Sequence, residues 1–427
     1  MRIAIVGYGP GGAAAALAAR TFDPAVDILL LTEEKIPAHK KPGSSLALEN
    51  PDTKELYIPD WSTETLSTKR IEVRAGTRVV GGNLRERTID VVSNEGKTST
   101  VEYDRLIIAT GGTPKLPDMP GVDLPGVFTI QSMADTSAIG KEMTTKQSFV
   151  IVGAGFSGLE TAERLYKMGK DVHIIVRSRL LRTQLEESMS EELLSRVPRR
   201  IHVHQGHAPS RVLGSKKAEG VEVGGKEIGA DAVLFMTGVR PNTTLAKKIG
   251  LKVGTLGGIP VNSRMETEVE GVFAVGDCVE MNDPLTGGPI LLPVGSTAAR
   301  AGRQAGVAAV GKEKIYDDTA LRLQYDHIFD ADIVCIGHSS TTARNLGVET
   351  RISYIEDSSE SLKVALVTTK DDRLIGGQVV GARMGARVGY EITKRVEKGV
   401  KLKEQPLLES RHDQILALLE RTLGPIR

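Results

Sequence analysis

Two glycine-rich motifs of the same spacing lie 146 positions apart in this chain, and each directly follows an apolar segment. The motif glycines are Gly7, Gly9 and Gly12 in the first copy, and Gly153, Gly155 and Gly158 in the second. In such a turn the first glycine permits a tight bend, the second lets the backbone approach a pyrophosphate, and the third lets helix and strand pack closely. The following helix directs the positive end of its dipole at the phosphates. The two copies therefore predict two bound dinucleotides, one of which passes electrons to the other.

The residues beyond each motif predict which ribose is bound. An acidic residue about 20 positions after the last glycine of such a motif binds a ribose hydroxyl. Glu33 fits this role in the first copy, with Glu34 or Thr32 as the alternatives. In the second copy this stretch contains Arg177 and Arg179 and no carboxylate. Guanidinium groups pair bidentately with a 2′-phosphate, which a carboxylate would repel. The second copy is therefore predicted to prefer NADPH, with NADH as the alternative.

The elements that position these motifs are predicted from hydrophobic patterning. A strand, a turn and a helix are expected at 2–20 and a second strand at 27–31, and continuous apolar strands of this kind belong to a parallel sheet covered on both faces. Alternation of apolar and polar residues over 71–103 predicts a small antiparallel sheet. Prolines in 113–126 predict a linker, and a helix rich in small residues is expected from about Thr297.

This pattern divides the chain into three predicted domains. The first dinucleotide-binding domain combines 1–112 with 242–320, and the second, 113–241, is inserted into it. From 321 the strands become shorter and a charged helix follows, which predicts a third domain at 321–427. The expected fold class is α/β, with two Rossmann-like, three-layer dinucleotide-binding domains followed by a C-terminal α+β domain.

The composition argues against several classes of partner. A net charge of +1 disfavours nucleic acid or an anionic membrane, because both select clustered lysine and arginine. No apolar run approaches the roughly 18 residues of a membrane span. A first strand that begins at residue 2 leaves no room for a signal peptide. Cys278 and Cys335, the only cysteines of the sequence, form no CxxC pair. We therefore expect a cytoplasmic protein.

Three histidines, His202, His204 and His207, have a spacing that resembles metal ligation only superficially. The alternation of His202 and His204 is that of a strand, which we place at the edge of the second domain. No metal is predicted at these residues.

Five motifs occur in a characteristic order. They are GYGPGG at 7–12, ATGG at 109–112, GAGFSGLE at 153–160, TGVRPN at 237–242 and AVGD at 274–277. The series resembles the FAD-dependent pyridine nucleotide-disulfide oxidoreductase superfamily, and within it most closely the coenzyme A-disulfide reductase and NADH oxidase branch. The segments IGH at 336–338 and IGGQVVG at 375–381 resemble its dimerisation domain. The resemblance implies that 321–427 is a dimerisation domain and that the protein is a homodimer.

The resemblance also assigns roles to residues. It implies that the first motif binds FAD and that the second binds NADPH or NADH. Asp277 would hydrogen-bond the ribityl chain, and the helix containing Thr297 would direct its positive end at the flavin. Glu160 would lie near flavin and nicotinamide, and Lys41 would stabilise the reduced flavin ring. Further residues implied at the two cofactors are Pro42, Ala109, Thr110, Gly111, Gly238 and Gly276.

One position departs from the branch that the sequence resembles. Its disulfide reductases carry a redox cysteine shortly after the second strand, where this chain has Ser44. A serine hydroxyl forms neither a mixed disulfide nor a sulfenic acid, so thiol–disulfide chemistry by this route is excluded. Either electrons pass directly from flavin to the acceptor, or the serine replaces a natural cysteine. His412 is a candidate proton donor at the flavin, although it lacks the HPxxSE context of such histidines, and a surface histidine is the alternative.

Together these features predict an FAD-dependent oxidoreductase that passes hydride from NADPH, or NADH, through flavin to an acceptor. The acceptor is a CoA-type disulfide or persulfide, or oxygen. One alternative is a reductase of a rubredoxin- or ferredoxin-like carrier, which would dock near Lys40, Lys41 and Arg70. The other is an NADPH-sensing flavoprotein scaffold without turnover. The expected partner is thus a small molecule or a small redox protein.

Overall fold

Each glycine motif directly follows the central strand of a five-stranded parallel sheet, and a third five-stranded sheet, which is antiparallel, lies toward the C-terminus. The structure, a computed structural model, describes residues 1–35, 39, 43–50, 53–313, 320–357, 362–382 and 385–402. The predicted α/β class with two Rossmann-type units is confirmed. The predicted domain boundaries stay a prediction.

The first segment of the chain contains most of the first parallel sheet. Its elements are β1 (Arg2–Val6), α1 (Pro10–Phe22), β2 (Asp27–Leu31), α2 (Leu46–Glu49), a 3₁₀ helix (Pro59–Trp61), α3 (Thr63–Thr68), β3 (Ile71–Arg74), β4 (Thr77–Asn83), β5 (Thr88–Ser93), β6 (Thr98–Glu102), β7 (Arg105–Ile108) and β8 (Gly112–Pro114). Strand β3 pairs in parallel with β2, with Ile71 opposite Ile28. The antiparallel sheet predicted over 71–103 is therefore wrong for 71–74 and holds only β4, β5 and β6. Alternation misled here because an edge strand of a parallel sheet also exposes every second side chain.

The second segment contains the second parallel sheet. Its elements are β9 (Val127–Phe128), α4 (Met133–Met143), β10 (Ser148–Val152), α5 (Phe156–Lys167), β11 (Asp171–Val176), α6 (Glu187–Arg196), β12 (Ile201–Gln205), β13 (Pro209–Leu213), β14 (Gly220–Val223), β15 (Lys226–Gly229), β16 (Ala232–Phe235) and β17 (Val239–Pro241). The strand order is β12–β11–β10–β16–β9, so β12 forms one edge. Strand β17 pairs with β8, so the two chain crossings between the units lie side by side.

The chain then returns to the first sheet. The elements of this part are α7 (Thr244–Ile249), β18 (Ile259–Pro260), β19 (Val272–Ala274), a 3₁₀ helix (Gly276–Cys278), β20 (Val279–Asn282), β21 (Pro289–Ile290) and α8 (Gly295–Ala309). Strand β19 completes the order β19–β7–β1–β2–β3. Helix α8 crosses α1 so closely that a Cβ atom at Gly302 would lie 2.1 Å from the carbonyl oxygen of Gly11. It begins two residues before the predicted start, which places Thr297 in its first turn.

The last described segment forms the antiparallel sheet. Its elements are β22 (Leu323–Ile328), β23 (Ala331–Gly337), α9 (Ser340–Asn345), β24 (Thr350–Asp357), β25 (Leu362–Thr369), β26 (Leu374–Gly381) and α10 (Gly385–Glu397). The strand order is β22–β23–β26–β25–β24, and α10 packs on β23 and β26. Strand β22 contacts α5 of the second unit, which brings the two parts together beside the second glycine motif. Within the described ranges, no helix is both long and apolar enough to cross a membrane.

Candidate functional site

A cavity of about 750 Å³ lies at the carboxyl ends of β1, β2, β7 and β19. Ligands of open α/β sheets bind in this crevice, and the volume is in the range of cofactor sites. Its walls are the first glycine motif, the end of β2, the ATGG segment and the AVGD segment. The lining residues include Gly7, Gly9, Thr32, Glu33, Glu34, Thr77, Arg78, Ala109, Thr110, Gly111, Gln131, Asn242, Lys248, Gly276, Asp277 and Ala298.

The glycines of the first motif have the geometry that a pyrophosphate site requires. Gly7 has φ +113°, and a Cβ atom there would lie 2.1 Å from the carbonyl oxygen of Ala109. A Cβ atom at Gly12 would lie 2.0 Å from the carbonyl oxygen of Gly7, so helix α1 packs directly on the turn. At Gly9 a Cβ atom would meet nothing within 4 Å, so the backbone there faces open space. Bend, close approach and packing thus match the predicted roles, and the residues fit a dinucleotide.

The second motif repeats this geometry. Gly153 has φ +114°, and a Cβ atom there would lie 2.4 Å from the carbonyl oxygen of Met236. A Cβ atom at Gly158 would lie 2.2 Å from the carbonyl oxygen of Gly153, whereas Gly155 faces open space. The second unit therefore offers a second pyrophosphate site at the N-terminus of α5.

At the end of β2, the structure distinguishes the candidates for the ribose contact. The buried Thr32 hydroxyl accepts a hydrogen bond from the backbone N–H of Glu34 at 3.2 Å. Glu33 is exposed and lines the cavity. This arrangement supports Glu33 as the ribose ligand, which stays a prediction.

The ATGG and AVGD segments line the cavity, which supports the FAD contacts predicted for them. Thr110 donates its hydroxyl to the carbonyl oxygen of Asn242 at 2.7 Å, which joins the wall to the TGVRPN motif. Asn242 is a cavity residue that we did not predict, although its motif was recognised. Gly238, with φ +91°, lies where the chain turns into β17, and its carbonyl accepts from the backbone N–H of Lys115 at 2.9 Å.

The start of α8 differs in detail from the expectation. Ala298 lines the cavity, whereas the Thr297 hydroxyl, which is buried, points to the carbonyl oxygen of Leu321 at 3.4 Å. The first turn of α8 thus faces the cavity through Ala298. Lys41, Pro42 and His412 lie outside the described residues.

The two predicted arginines have different environments. Arg177 follows β11 directly and is exposed, and its guanidinium has no hydrogen bond or ion pair to any residue that the structure describes. Arg179 is partly buried and donates to the carbonyl oxygens of Arg182 and Leu185 at 3.1 and 3.2 Å. Arg182, in the same loop, is exposed. Only Arg177 of the predicted pair therefore presents a guanidinium that is available to a ligand.

Glu160 lies in α5 beside two other parts of the chain. Its carboxyl group forms a hydrogen bond with the carboxyl group of Asp326 in β22 and accepts one from the backbone N–H of Gly43. Burial, reinforced by the hydrogen bond and charge of Asp326, raises the pKa of Glu160 to about 9. At neutral pH the pair therefore holds a proton beside Gly43, the residue that precedes Ser44. Asp326 was not predicted from the sequence, because the two carboxyl groups are 166 positions apart.

Ser44 is buried, with 3 % of its surface exposed. Neither cysteine compensates for its missing thiol. Cys278 is fully buried against the carbonyl oxygens of Val275 and Ile108, and Cys335 is buried in β23. Burial raises the pKa of the Cys335 thiol to about 12, which suppresses the reactive thiolate.

Comparisons with known proteins agree with this geometry. The family described as "Pyridine nucleotide-disulphide oxidoreductase" matches residues 1–305. An NADH oxidase of Methanocaldococcus jannaschii is 31% identical over 92% of this chain and 89% of its own length. A CoA-dependent NAD(P)H sulfur oxidoreductase of Pyrococcus furiosus is 29% identical over 91% of this chain and 89% of its own. The structure of an NAD-dependent persulfide reductase from A. fulgidus superposes with a TM-score of 0.84 and 26% identity, over 93% of this chain and 77% of that one.

The resemblance predicted from the five motifs is therefore confirmed, and with it the enzymatic nature of the protein. The alternative prediction, an NADPH-sensing flavoprotein scaffold without turnover, is therefore not supported. The chain belongs to the pyridine nucleotide-disulphide oxidoreductase family and is an FAD-dependent NAD(P)H oxidoreductase.

Proposed function

We propose that this protein is a homodimeric, NADPH-preferring oxidase that delivers electrons from flavin to oxygen without a protein thiol. FAD held by the first glycine motif, beside a nicotinamide held by the second, would supply hydride transfer and two-electron reduction of the acceptor. The observation that carries the proposal is the buried Ser44 at the redox-cysteine position, together with the burial of both cysteine thiols, Cys278 and Cys335. A disulfide acceptor needs a thiolate partner at that position, whereas oxygen needs only electrons and protons.

The pair of Glu160 and Asp326 supplies the proton in this proposal. Reduction of oxygen to hydrogen peroxide consumes the hydride of NADPH and one additional proton. The raised pKa of Glu160, about 9, keeps a proton on the pair at neutral pH. The hydrogen bond from Gly43, the residue before Ser44, supports a role of this proton near the predicted redox-cysteine position.

The NADPH preference rests on Arg177 and, as a second guanidinium, on Arg182. Both are exposed on the loop that follows β11. An arginine pairs with a phosphate through parallel hydrogen bonds, so either side chain suits a 2′-phosphate. Arg179, predicted for this role, is instead bound to the carbonyl oxygens of its own loop.

An anaerobic titration followed by acceptor addition tests the function. One equivalent of NADPH is expected to bleach the flavin absorbance faster than NADH does. Addition of oxygen then restores the flavin absorbance and yields hydrogen peroxide, whereas CoA disulfide leaves the flavin reduced. A flavin that NADPH does not bleach, or that CoA disulfide reoxidises as fast as oxygen, contradicts the proposal.

Ser44→Cys is the matched variant, because it restores the thiol and changes one atom. We expect it to gain CoA-disulfide reductase activity and to keep the oxidase activity of the original chain. A variant that gains no disulfide reduction would show that other features of this pocket, and not the missing thiol, exclude disulfides.

A second candidate function is the reduction of a small electron-transfer protein. It is favoured by the absence of a redox cysteine and by the 30% identity to a rhodocoxin reductase of Rhodococcus erythropolis, over 68% of both chains. Of the predicted docking residues only Arg70 is described, and it is exposed. Turnover with an acidic carrier that falls steeply as salt rises would support this function over the oxidase.

A further inference from the structure

Four polar side chains converge at the edge of the second parallel sheet, away from its glycine motif. Strands β11 and β12 pair in parallel with His173 opposite His202, so these two imidazoles and that of His204 lie on one face. Asp171, the first residue of β11, lies on the same face. The prediction that His202 and His204 belong to an edge strand is confirmed, and the structure adds His173 and Asp171 to them.

The distances within this cluster match a metal site. One Asp171 oxygen lies 3.6 Å from His173 Nε2, and the other lies 3.7 Å from His202 Nε2. One ligand atom from each of these three residues can be chosen so that all lie within 4.8 Å of one another. Zinc bonds to nitrogen and oxygen are about 2.0–2.2 Å long, so neighbouring ligand atoms of a tetrahedral site are about 3.4 Å apart. The two nitrogen–oxygen separations are within a few tenths of an ångström of this value, and small side-chain rotations would bring the full set of three ligand atoms, now within 4.8 Å, around one ion.

The hydrogen bond of His173 orients its free nitrogen. His173 Nδ1 lies 3.0 Å from His204 Nε2, so one of these two nitrogens carries the shared proton. When His173 Nδ1 carries it, the lone pair of Nε2 is directed toward Asp171. The Asp171 carboxylate thus lies within ion-pair distance of Nε2 of both His173 and His202, so a cation between them would contact all three side chains. A ligand histidine whose other nitrogen donates to a second residue is the usual arrangement in metal sites.

We propose that Asp171, His173 and His202 form a binding site for a divalent transition-metal ion of the zinc type, with His204 orienting His173 from behind. Two imidazoles and a carboxylate are the ligand types that zinc accepts, and a water completes the tetrahedron. Asp171 and His202 are each about half exposed, with 53% of the side chain accessible, so the ion has a direct path from solvent.

The position of the cluster assigns the metal a structural role. Asp171 begins β11, and Arg177 follows its end. Six residues of strand separate them by roughly 20 Å. A metal at the cluster therefore does not contact a nucleotide bound at Arg177. It joins the edge strand β12 to β11 and stabilises the second unit without entering the redox reaction.

Equilibrium dialysis of the FAD-loaded full chain, prepared without a histidine tag, against zinc chloride tests the site. We expect one zinc ion per chain. Asp171→Asn and His202→Ala are each expected to weaken binding at least 10-fold, and His204→Ala to weaken it about 10-fold through loss of ligand orientation. His207→Ala is the matched control, because this exposed imidazole lies in the same region but outside the cluster.

Thermal unfolding gives an independent readout. Zinc is expected to raise the melting temperature of the original chain and of His207→Ala, but not that of Asp171→Asn, which is isosteric and keeps the strand. Flavin reduction by NADPH is expected to be the same with zinc as with chelator. Binding that does not reach one ion per chain, or that Asp171→Asn and His202→Ala leave unchanged, overturns the proposal.

Discussion

The two dinucleotide units share one turn but differ in the residue that is predicted to meet the ribose. The backbone N–H of Gly7 donates to the carbonyl of Leu31 at 2.8 Å, and that of Gly153 donates to the carbonyl of Ile175 at 2.9 Å. Leu31 and Ile175 are therefore structural equivalents. Two residues later the first unit has Glu33 and the second has Arg177. A carboxylate suits a ribose hydroxyl, whereas a guanidinium suits a phosphate. The geometry of the turn is thus common to both units, and the predicted difference in ribose recognition lies at one strand-end position.

The helices that follow the two turns differ in a second way. Glu160 in α5 occupies the helix position that Ala14 occupies in α1. The first helix packs with small residues against α8, as the close approach of Gly302 to Gly11 requires. The second helix instead places a carboxyl group against Asp326 and Gly43. The same supersecondary unit therefore serves as a packing surface in one copy and as the holder of a proton in the other.

The largest expected effect comes from replacing the third motif glycine of either turn, where the helix packs most closely on the turn backbone. Gly12→Val and Gly158→Val both place a side chain within about 2 Å of a backbone oxygen, since even a Cβ atom would lie 2.0 and 2.2 Å from it. Gly12→Val is expected to yield protein without flavin. Gly158→Val is expected to retain flavin but to lose on the order of 100-fold in its rate of reduction by NADPH, because the nicotinamide is misplaced. Flavin absorbance and stopped-flow reduction measure the two effects. Loss of flavin from Gly158→Val would contradict the assignment of one dinucleotide to each unit.

Glu160→Gln tests the second difference between the units. General acid catalysis contributes on the order of 100-fold or more, so reoxidation of the reduced flavin by oxygen is expected to slow by about that factor. With the pKa of Glu160 raised to about 9, the original chain loses activity as the pH rises through 9, whereas the variant shows no such decline. Stopped-flow reoxidation between pH 6 and about 10 measures both. An unchanged pH profile in the variant would remove Glu160 from the proton path.

The same proton predicts a stability trend with a defined sign. Between pH 4.5, the ordinary pKa of a glutamate, and about pH 9, the Glu160 carboxyl group is protonated in the folded chain and ionised in the unfolded chain. Folded stability therefore declines as the pH rises through this window, and Glu160→Gln abolishes that part of the decline. Denaturant unfolding at several pH values gives the comparison, with Glu163→Gln as the control from the same helix.

Arg177→Glu converts the second unit to the residue type of the first. Hydrogen bonds to charged groups contribute ~1.5–3 kcal/mol, so the KM for NADPH is expected to rise by about 10- to 100-fold. The KM for NADH is expected to change far less, since that ribose carries no phosphate. Steady-state kinetics with both nucleotides measure the ratio. A ratio that stays constant would mean that Arg177 does not contact the 2′-phosphate.

The sequence predicted the two turns well because backbone geometry fixes the glycine spacing. It did not distinguish Arg177 from Arg179, because the path from the last motif glycine to the paired strand residue is 19 positions to Leu31 but 17 to Ile175. Counting from the glycine aligns Glu33 with Arg179, whereas strand pairing aligns it with Arg177. Contacts such as those of Glu160 with Asp326, or of His173 with His202, depend on which helices and strands become neighbours. Local patterns do not contain that information.

The smallest expected effect distinguishes the two arginines directly. Arg179 donates to two carbonyl oxygens of its own loop, and the end of that loop is held by Glu186, whose carboxylate accepts from Ser340 N at 2.7 Å and from Gln378 Nε2 at 3.1 Å. Arg179→Ala therefore removes two hydrogen bonds from a charged guanidinium to loop carbonyl oxygens, each of ~1.5–3 kcal/mol. It is expected to lower the melting temperature and to change the KM for NADPH and for NADH by the same factor, roughly three. Arg177→Ala is expected to leave the melting temperature unchanged and to change the ratio of the two constants. If Arg179→Ala instead changes this ratio as much as Arg177→Ala does, the loop contacts of Arg179 break when the nucleotide binds. Both arginines then contact the 2′-phosphate.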